Sequence, residues 1–363
     1  MPMNLSQDTC HRWLLGLLLL PFLSVSQTQI VLKTEHIGGV AKGFFVVEVQ
    51  DTRKVTANVG NVFDAKNQRT VALLENNAVR TLQGFFNRNF NPDNTDSLTA
   101  IALVIKELKF SERSMSPTKI AGELTTHFSF EAYQNGRQVP LTGGSSTSTY
   151  TRDPRQNEML EQMLRQALGN QIRNFGKWYA QNSNTFDKLT RRVEVIFDEA
   201  RQLDADTIID YASTRPLTWT DFRGRPSLVS RWAAQVFTSF GFEARSTIKN
   251  RVVQLHVRTN VWLDKTISWG RANAKNDYVL AHEQLHFDIT QLTALRFKKK
   301  IKNLIFSTED YSSEIQYQYL EFFRDLGQLQ QQYDDETNHG LNQAKQYFWA
   351  AKIKQELKNF EGE

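Results

Sequence analysis

Asn276-Asp-Tyr-Val-Leu-Ala-His-Glu-Gln-Leu-His-Phe-Asp-Ile289 reads as the start of one buried helix that continues to about Leu304. Asn276 and Asp277 are good N-terminal caps, because their side-chain oxygens accept from the unpaired N–H groups of a first turn. Val279, Ala281, Leu285, Ile289, Leu292, Leu295 and Phe297 recur at spacings of two to four, as a mostly buried helix requires. Residues four apart lie one above the other on a helix face, so the rings of His282 and His286 converge on one point. Glu283 is displaced by one position, beside that point rather than on it. His-Glu-x-x-His at this spacing is the pattern of a zinc metallopeptidase helix, with Glu283 as the general base. Unpaired imidazoles inside an apolar helix are costly, so something must satisfy them.

A catalytic zinc takes three protein ligands and keeps one position open. Residues 333–340 read Tyr-Asp-Asp-Glu-Thr-Asn-His-Gly, after two helical stretches able to fold the chain back. His339 is the first choice for the third ligand and Glu336 the alternative, since imidazole and carboxylate both bind zinc. Asp334 is suited to orienting a ligating imidazole through its other ring N–H. Tyr333 is a candidate donor to a developing oxyanion. Asp288 is turned off the ligand face and is expected to anchor the helix or support a ligand.

The C-terminal half resembles a bacterial family of predicted secreted zinc-dependent proteases that is carried as a domain of unknown function. Four segments bear the likeness: Leu217-Thr-Trp-Thr-Asp-Phe222, Ser268-Trp269, His282-Glu-Gln-Leu-His-Phe-Asp-Ile289 and Tyr333-Asp-Asp-Glu-Thr-Asn-His-Gly340. Gln343 to Trp349 is similar to the family's closing helix, and the likeness runs from about residue 190 to the C-terminus. It implies His339, rather than Glu336, as third ligand beside His282 and His286, and a zincin-like domain holding Zn2+.

Length and composition set the frame. A chain of 363 residues, 40% hydrophobic, suggests two domains each able to bury a core. Arg12 followed by the short apolar run Trp13 to Val25 reads as a secretory signal, with Ser24 and Ser26 as the small residues before a cut near Gln27. Residues 1–26 are therefore expected to direct export to the periplasm or the exterior. That run is too short for a comfortable membrane span, and no later stretch approaches one. Cys10, the single cysteine, would leave with the signal, so a cysteine nucleophile and a disulfide framework are both excluded. The net charge of +5 is concentrated at Arg296, Lys298, Lys299, Lys300 and Lys302, which suit a solvated helix end better than a nucleic-acid surface.

Residues 27–185 read as a separate α/β module. Gly43 to Val49 and Ile101 to Leu108 are expected strands, the second buried on both faces, and Ala78 to Phe86 has helical spacing. Ile120 to Ala132 alternates as a half-buried strand, and Asn135-Gly136 turns it into a hairpin with Val139 and Leu141. Asp153 and Pro154 are read as the start of a helix reaching about Trp178. Ser145 to Thr151 fits either a loop or an edge strand. The order strand, helix, strands, helix resembles envelope lipoprotein-type α/β domains, which makes this module a candidate for binding an envelope partner or substrate. His36 and His127 are read as surface residues.

In the second domain, residues 186–363, Arg192 to Phe197 is a strand, and Ala233 to Ile248 pairs with Arg251 to Leu263 as a long antiparallel hairpin. His256 is assigned to the polar face of that hairpin. The expected fold class is α+β: a sandwich-like α/β module, then a zincin-like domain with an antiparallel sheet and a zinc-binding helix. The expected function is a secreted zinc peptidase acting on peptide or protein substrates. The alternative is a non-catalytic zinc-binding envelope protein whose N-terminal domain binds a partner or assists assembly.

Overall fold

The computed structural model describes residues 27–38, 40 and 43–361, so the signal reading of residues 1–26 lies outside the described residues. The chain divides into two compact units between Ala180 and Gln181. Both combine sheet with helix, giving a mixed α+β architecture. Among the described residues no helix is long and apolar enough to cross a membrane.

The first unit carries strands β1 (Gln27–Ile30), β2 (Phe44–Asp51), β3 (Gly60–Phe63) and β4 (Arg69–Leu74), helix α1 (Ala78–Asn89), strands β5 (Thr99–Ser116), β6 (Lys119–Gln134) and β7 (Arg137–Arg152), and helix α2 (Glu158–Asn182). The strands form one seven-stranded sheet in the order β1-β4-β3-β5-β6-β7, with β2 also parallel to β5. Ile101 to Ile105 are all buried, the continuous run that a strand covered on both faces needs. Asn135 (φ 48°) and Gly136 (φ 77°) make the tight turn between β6 and β7. Ser145 to Thr151 belongs to β7, the edge strand. Asp153 does not open α2; its Oδ1 accepts from the Arg155 N–H at 2.9 Å in a local turn, and the helix begins at Glu158.

In the second unit, β8 (Arg192–Phe197), β9 (Ile208–Asp210), β11 (Thr238–Lys249) and β12 (Val252–Asp264) form a four-stranded sheet. β11 and β12 are the expected antiparallel hairpin, turning at Asn250 and Arg251, which both hold positive φ. The sheet is mixed rather than antiparallel throughout, because β8 joins β12 in parallel. Short strands β10 (Ala234–Gln235) and β13 (Trp269–Gly270) pair beside it. Helices α3 (Asp277–Lys302), α4 (Tyr311–Thr337) and α5 (Gln343–Glu361) complete the unit.

The core lies where α3 meets the sheet and the later helices. Alternation along β12 buries Val253, Leu255, Val257, Val261 and Leu263 on one face. Phe240 of β11 joins them, and Leu285, Ile289, Leu292 and Phe297 of α3 share the same apolar cluster. Asn276 caps α3 through a bond from the Val279 N–H at 3.0 Å. The middle of α3 is covered on nearly every side, with Phe287, Thr290 and Thr293 buried as well. Its histidine pair is thus held in a fully packed segment.

Candidate metal centre

His282 and His286 project from adjacent turns of α3, and Asp334 reaches them from the last turns of α4. His282 Nε2 and His286 Nε2 are 3.3 Å apart, and Asp334 Oδ1 lies 3.2 Å from the first and 3.1 Å from the second. These three atoms form a nearly equilateral triangle. Tetrahedral zinc with bonds of 2.0–2.1 Å requires its ligand atoms to be roughly 3.3 Å apart, so the triangle fits one face of such a site. Of the described residues, these three are the ones whose donor atoms cluster closely enough to share an ion.

Two glutamines set the tautomers. The Gln346 amide donates to the Tyr278 carbonyl at 3.2 Å, which turns its Oε1 toward His282 Nδ1, also at 3.2 Å. The Gln330 amide donates to the His286 carbonyl at 2.9 Å and to Thr290 Oγ1 at 3.0 Å, so its Oε1 accepts from His286 Nδ1. An oxygen facing Nδ1 calls for a proton there and leaves a lone pair on Nε2. With neutral rings, both Nε2 lone pairs face the Asp334 carboxylate oxygen, a repulsion that either a proton on one Nε2 or a shared cation relieves.

Burial pushes the Asp334 carboxyl up, but hydrogen bonds from His282 and His286 outweigh it and hold the group well below the carboxylate range. Burial opposes charge on both imidazoles; it lowers His282, whereas Asp334 and Glu283 turn the net shift of His286 upward. Glu283, 4% exposed, is pushed up to about 7, chiefly by burial. The backbone N–H of Val236 hydrogen-bonds to its carboxylate. Glu283 is thus a buried carboxyl group that lines the same space as the donor triangle.

That space is a cleft of about 660 Å3. Trp232 to Thr238, including β10, make one wall, and α4 makes another. Ala233 accepts from Arg271 across the β10–β13 pair. Alternation then turns the N–H and C=O of Ala234 and the C=O of Val236 to the opposite side, where the Val236 N–H reaches Glu283. Ser268 positions this wall by accepting from the Phe237 N–H at 3.0 Å.

Not every residue expected at the centre joins the triangle. His339 stacks on Trp232 with centroids 3.6 Å apart, and its Nδ1 is 3.5 Å from Asp334 Oδ1, so it stands beside the triangle. Glu336 faces elsewhere and accepts from Trp349 Nε1 at 3.0 Å and from Gln332. Tyr333 is fully buried behind His282, with its hydroxyl 2.8 Å from Nδ1, on the ring edge away from the cleft. It orients the imidazole from the Nδ1 edge, whereas the triangle is formed by the Nε2 edge. Asp288 accepts from Gln284 at 2.8 Å and Tyr211 at 3.0 Å and so ties α3 to the segment that follows β9. His256 pairs with Asp198 at 3.1 Å, outside the cleft.

Gly340 closes the α4 turn at φ +83°, and a Cβ there would meet His282 Nδ1 at 3.3 Å. The left-handed conformation favours glycine, and a side chain there would press on Gln346 and His282, which would have to give by a few tenths of an ångström. Gln330, Gln346 and Trp232 were not anticipated from sequence. Gln330 had a signal, since it precedes Asp334 by one i,i+4 step, matching the spacing of the histidines. Trp232, in an irregular loop, had none.

The family described as "Bacterial protein of unknown function (DUF922)" matches residues 237–340, which span β11 through the Gly340 turn. No curated protein matches this chain. A solved structure, protein XCC0632 from Xanthomonas campestris, of a family described as DUF330, is similar over 44% of this chain and all of its own, at 12% identity and a TM-score of 0.31.

Proposed function

We propose that the second unit is a zinc-dependent peptidase of zincin type and that the protein is exported to the periplasm or exterior. The observation that carries the reading is the lone-pair triangle of His282, His286 and Asp334, with a buried Glu283 beside it in an open cleft. These three residues would hold the ion, and His339 would stand next to it, over Trp232. A bound zinc supplies Lewis-acid polarisation of a carbonyl and makes water acidic near neutral pH.

The chain's own groups supply the rest. Glu283, with its pKa near 7, takes the proton of the attacking water and passes it to the departing amine. Tyr333, Gln346 and Gln330 would hold both Nδ1 protons in place, so that the Nε2 lone pairs are the ones offered to an ion. The outward backbone groups of Ala234 and Val236 suit an extended peptide laid as an added strand. His339 lines the cleft with its Nδ1 3.5 Å from Asp334 Oδ1, and its ring is the side chain beside the triangle that would donate to a developing oxyanion.

The test is a pair of variants. Purified protein should contain near-equimolar zinc that His282→Ala removes, while Glu283→Gln keeps the zinc and abolishes cleavage of a peptide library. Equal metal in wild type and His282→Ala would remove the site. Undiminished turnover in Glu283→Gln would remove the base.

A further inference from the structure

Gly327 sits in the middle of α4, where a glycine weakens a helix, and it has no positive φ that would require one. A Cβ built on it would meet nothing within 4 Å, so packing does not demand glycine either. Its position supplies the reason. Phe323, Leu326, Gly327, Gln330 and Asp334 line the cleft from one face of α4, in steps of three and four. Helical side chains lean toward the N-terminus, so the Asp334 carboxylate lies over the turn of Gln330. Gly327 is then about one further turn, ~5 Å, from the donor triangle.

The walls around this gap are apolar. Leu326 is buried beneath it, while Phe323 (45% exposed) and Phe237 (38% exposed) present aromatic surface to solvent. Exposed aromatic rings beside a reaction centre, around a space kept open by a missing side chain, describe a subsite for an apolar group. We infer that Gly327, with Phe237, Phe323 and Leu326, forms a specificity pocket that takes a large apolar side chain of the substrate next to the scissile bond. Gly327 is the residue that sets its depth. This rests on the peptidase reading but concerns selectivity, and the two fail separately.

Gly327→Ala and Gly327→Leu test it. A Cβ at this position meets nothing within 4 Å, so Gly327→Ala, which removes a mid-helix glycine, should raise Tm by about 2–4 °C. Zinc content should not change. Profiling cleavage sites in a proteome-derived peptide library should show wild-type enrichment of Leu, Phe or Met at one position flanking the cut. Gly327→Leu should shift that single position toward Gly and Ala by roughly tenfold, the scale of one or two methylenes in a pocket. An unchanged profile would overturn the pocket while leaving the peptidase standing. Calorimetric titration of the Glu283→Gln background covers the converse case, using two hexapeptides that differ only by Leu or Ala. Preference for the Leu peptide that Gly327→Leu abolishes would uphold the pocket even without hydrolysis. Equal binding of both peptides by the Gly327 protein would refute it.

Discussion

Gln330 fixes the tautomer of His286: its amide donates to the His286 carbonyl at 2.9 Å, and its oxygen accepts from the ring Nδ1. One side chain thereby reads both the backbone and the ring of the same residue. Gln330→Ala removes this lock without touching a donor atom of the triangle. Zinc affinity should fall by ~10–100-fold, as for other losses of a ligand's outer partner. Chelator competition measures it, and an unchanged Kd would show that packing alone orients the ring.

Asp334→Ala and His339→Ala separate the two claims on the third coordination position. The triangle includes Asp334 and leaves His339 beside it. Asp334→Ala should cost more zinc affinity than the ~10–100-fold of an outer partner. His339→Ala should keep stoichiometric zinc and lose turnover. The reverse pattern in metal analysis would make His339 the ligand.

Glu283 has a folded pKa of about 7 against an ordinary 4.5, because burial favours the neutral acid. Its contribution to stability is therefore complete below about pH 4.5 and is lost as pH rises through 7. Glu283→Gln carries no charge to bury. In chelator-treated protein the variant should gain ~2–3 kcal/mol on wild type between about pH 4.5 and pH 8. Urea denaturation at both values gives the difference; a constant gap would mean that the carboxylate is well solvated.

Gly340→Ala places a Cβ against His282 Nδ1 in a left-handed conformation. The backbone strain alone costs about 1–2 kcal/mol. The variant should unfold earlier on heating and bind zinc more weakly, because His282 is displaced. A normal Tm with normal zinc affinity would contradict the close approach.

Much of this unit was legible because α3 states itself locally. Its cap, apolar recurrence and His282–His286 spacing all arise within one helix and survive unchanged in the structure. The Asn135-Gly136 turn is equally local. The third donor was harder. Asp334, Asp335 and Glu336 sit in the last turns of α4, where the helix dipole disfavours acids, so nothing local marks the segment as helical. The helix persists because Tyr333 and Thr337 are wholly buried and overrule local preference. The parallel pairing of β8 with β12 was hidden for a similar reason, since strand partners far apart in sequence leave no local pattern. At Asp153 the error was chemical: its carboxylate served a turn instead of a helix start.

Two corners of the donor triangle belong to α3 and the remaining one to α4, and the glutamine behind His282 comes from α5. An ion seated there would act as a rivet through all three helices. Stripping it should loosen the α4–α5 hairpin before the sheet beneath, so chelation would first expose residues 311–361 to proteolysis or amide exchange, turning the metal into a fastener of tertiary structure as well as a reagent.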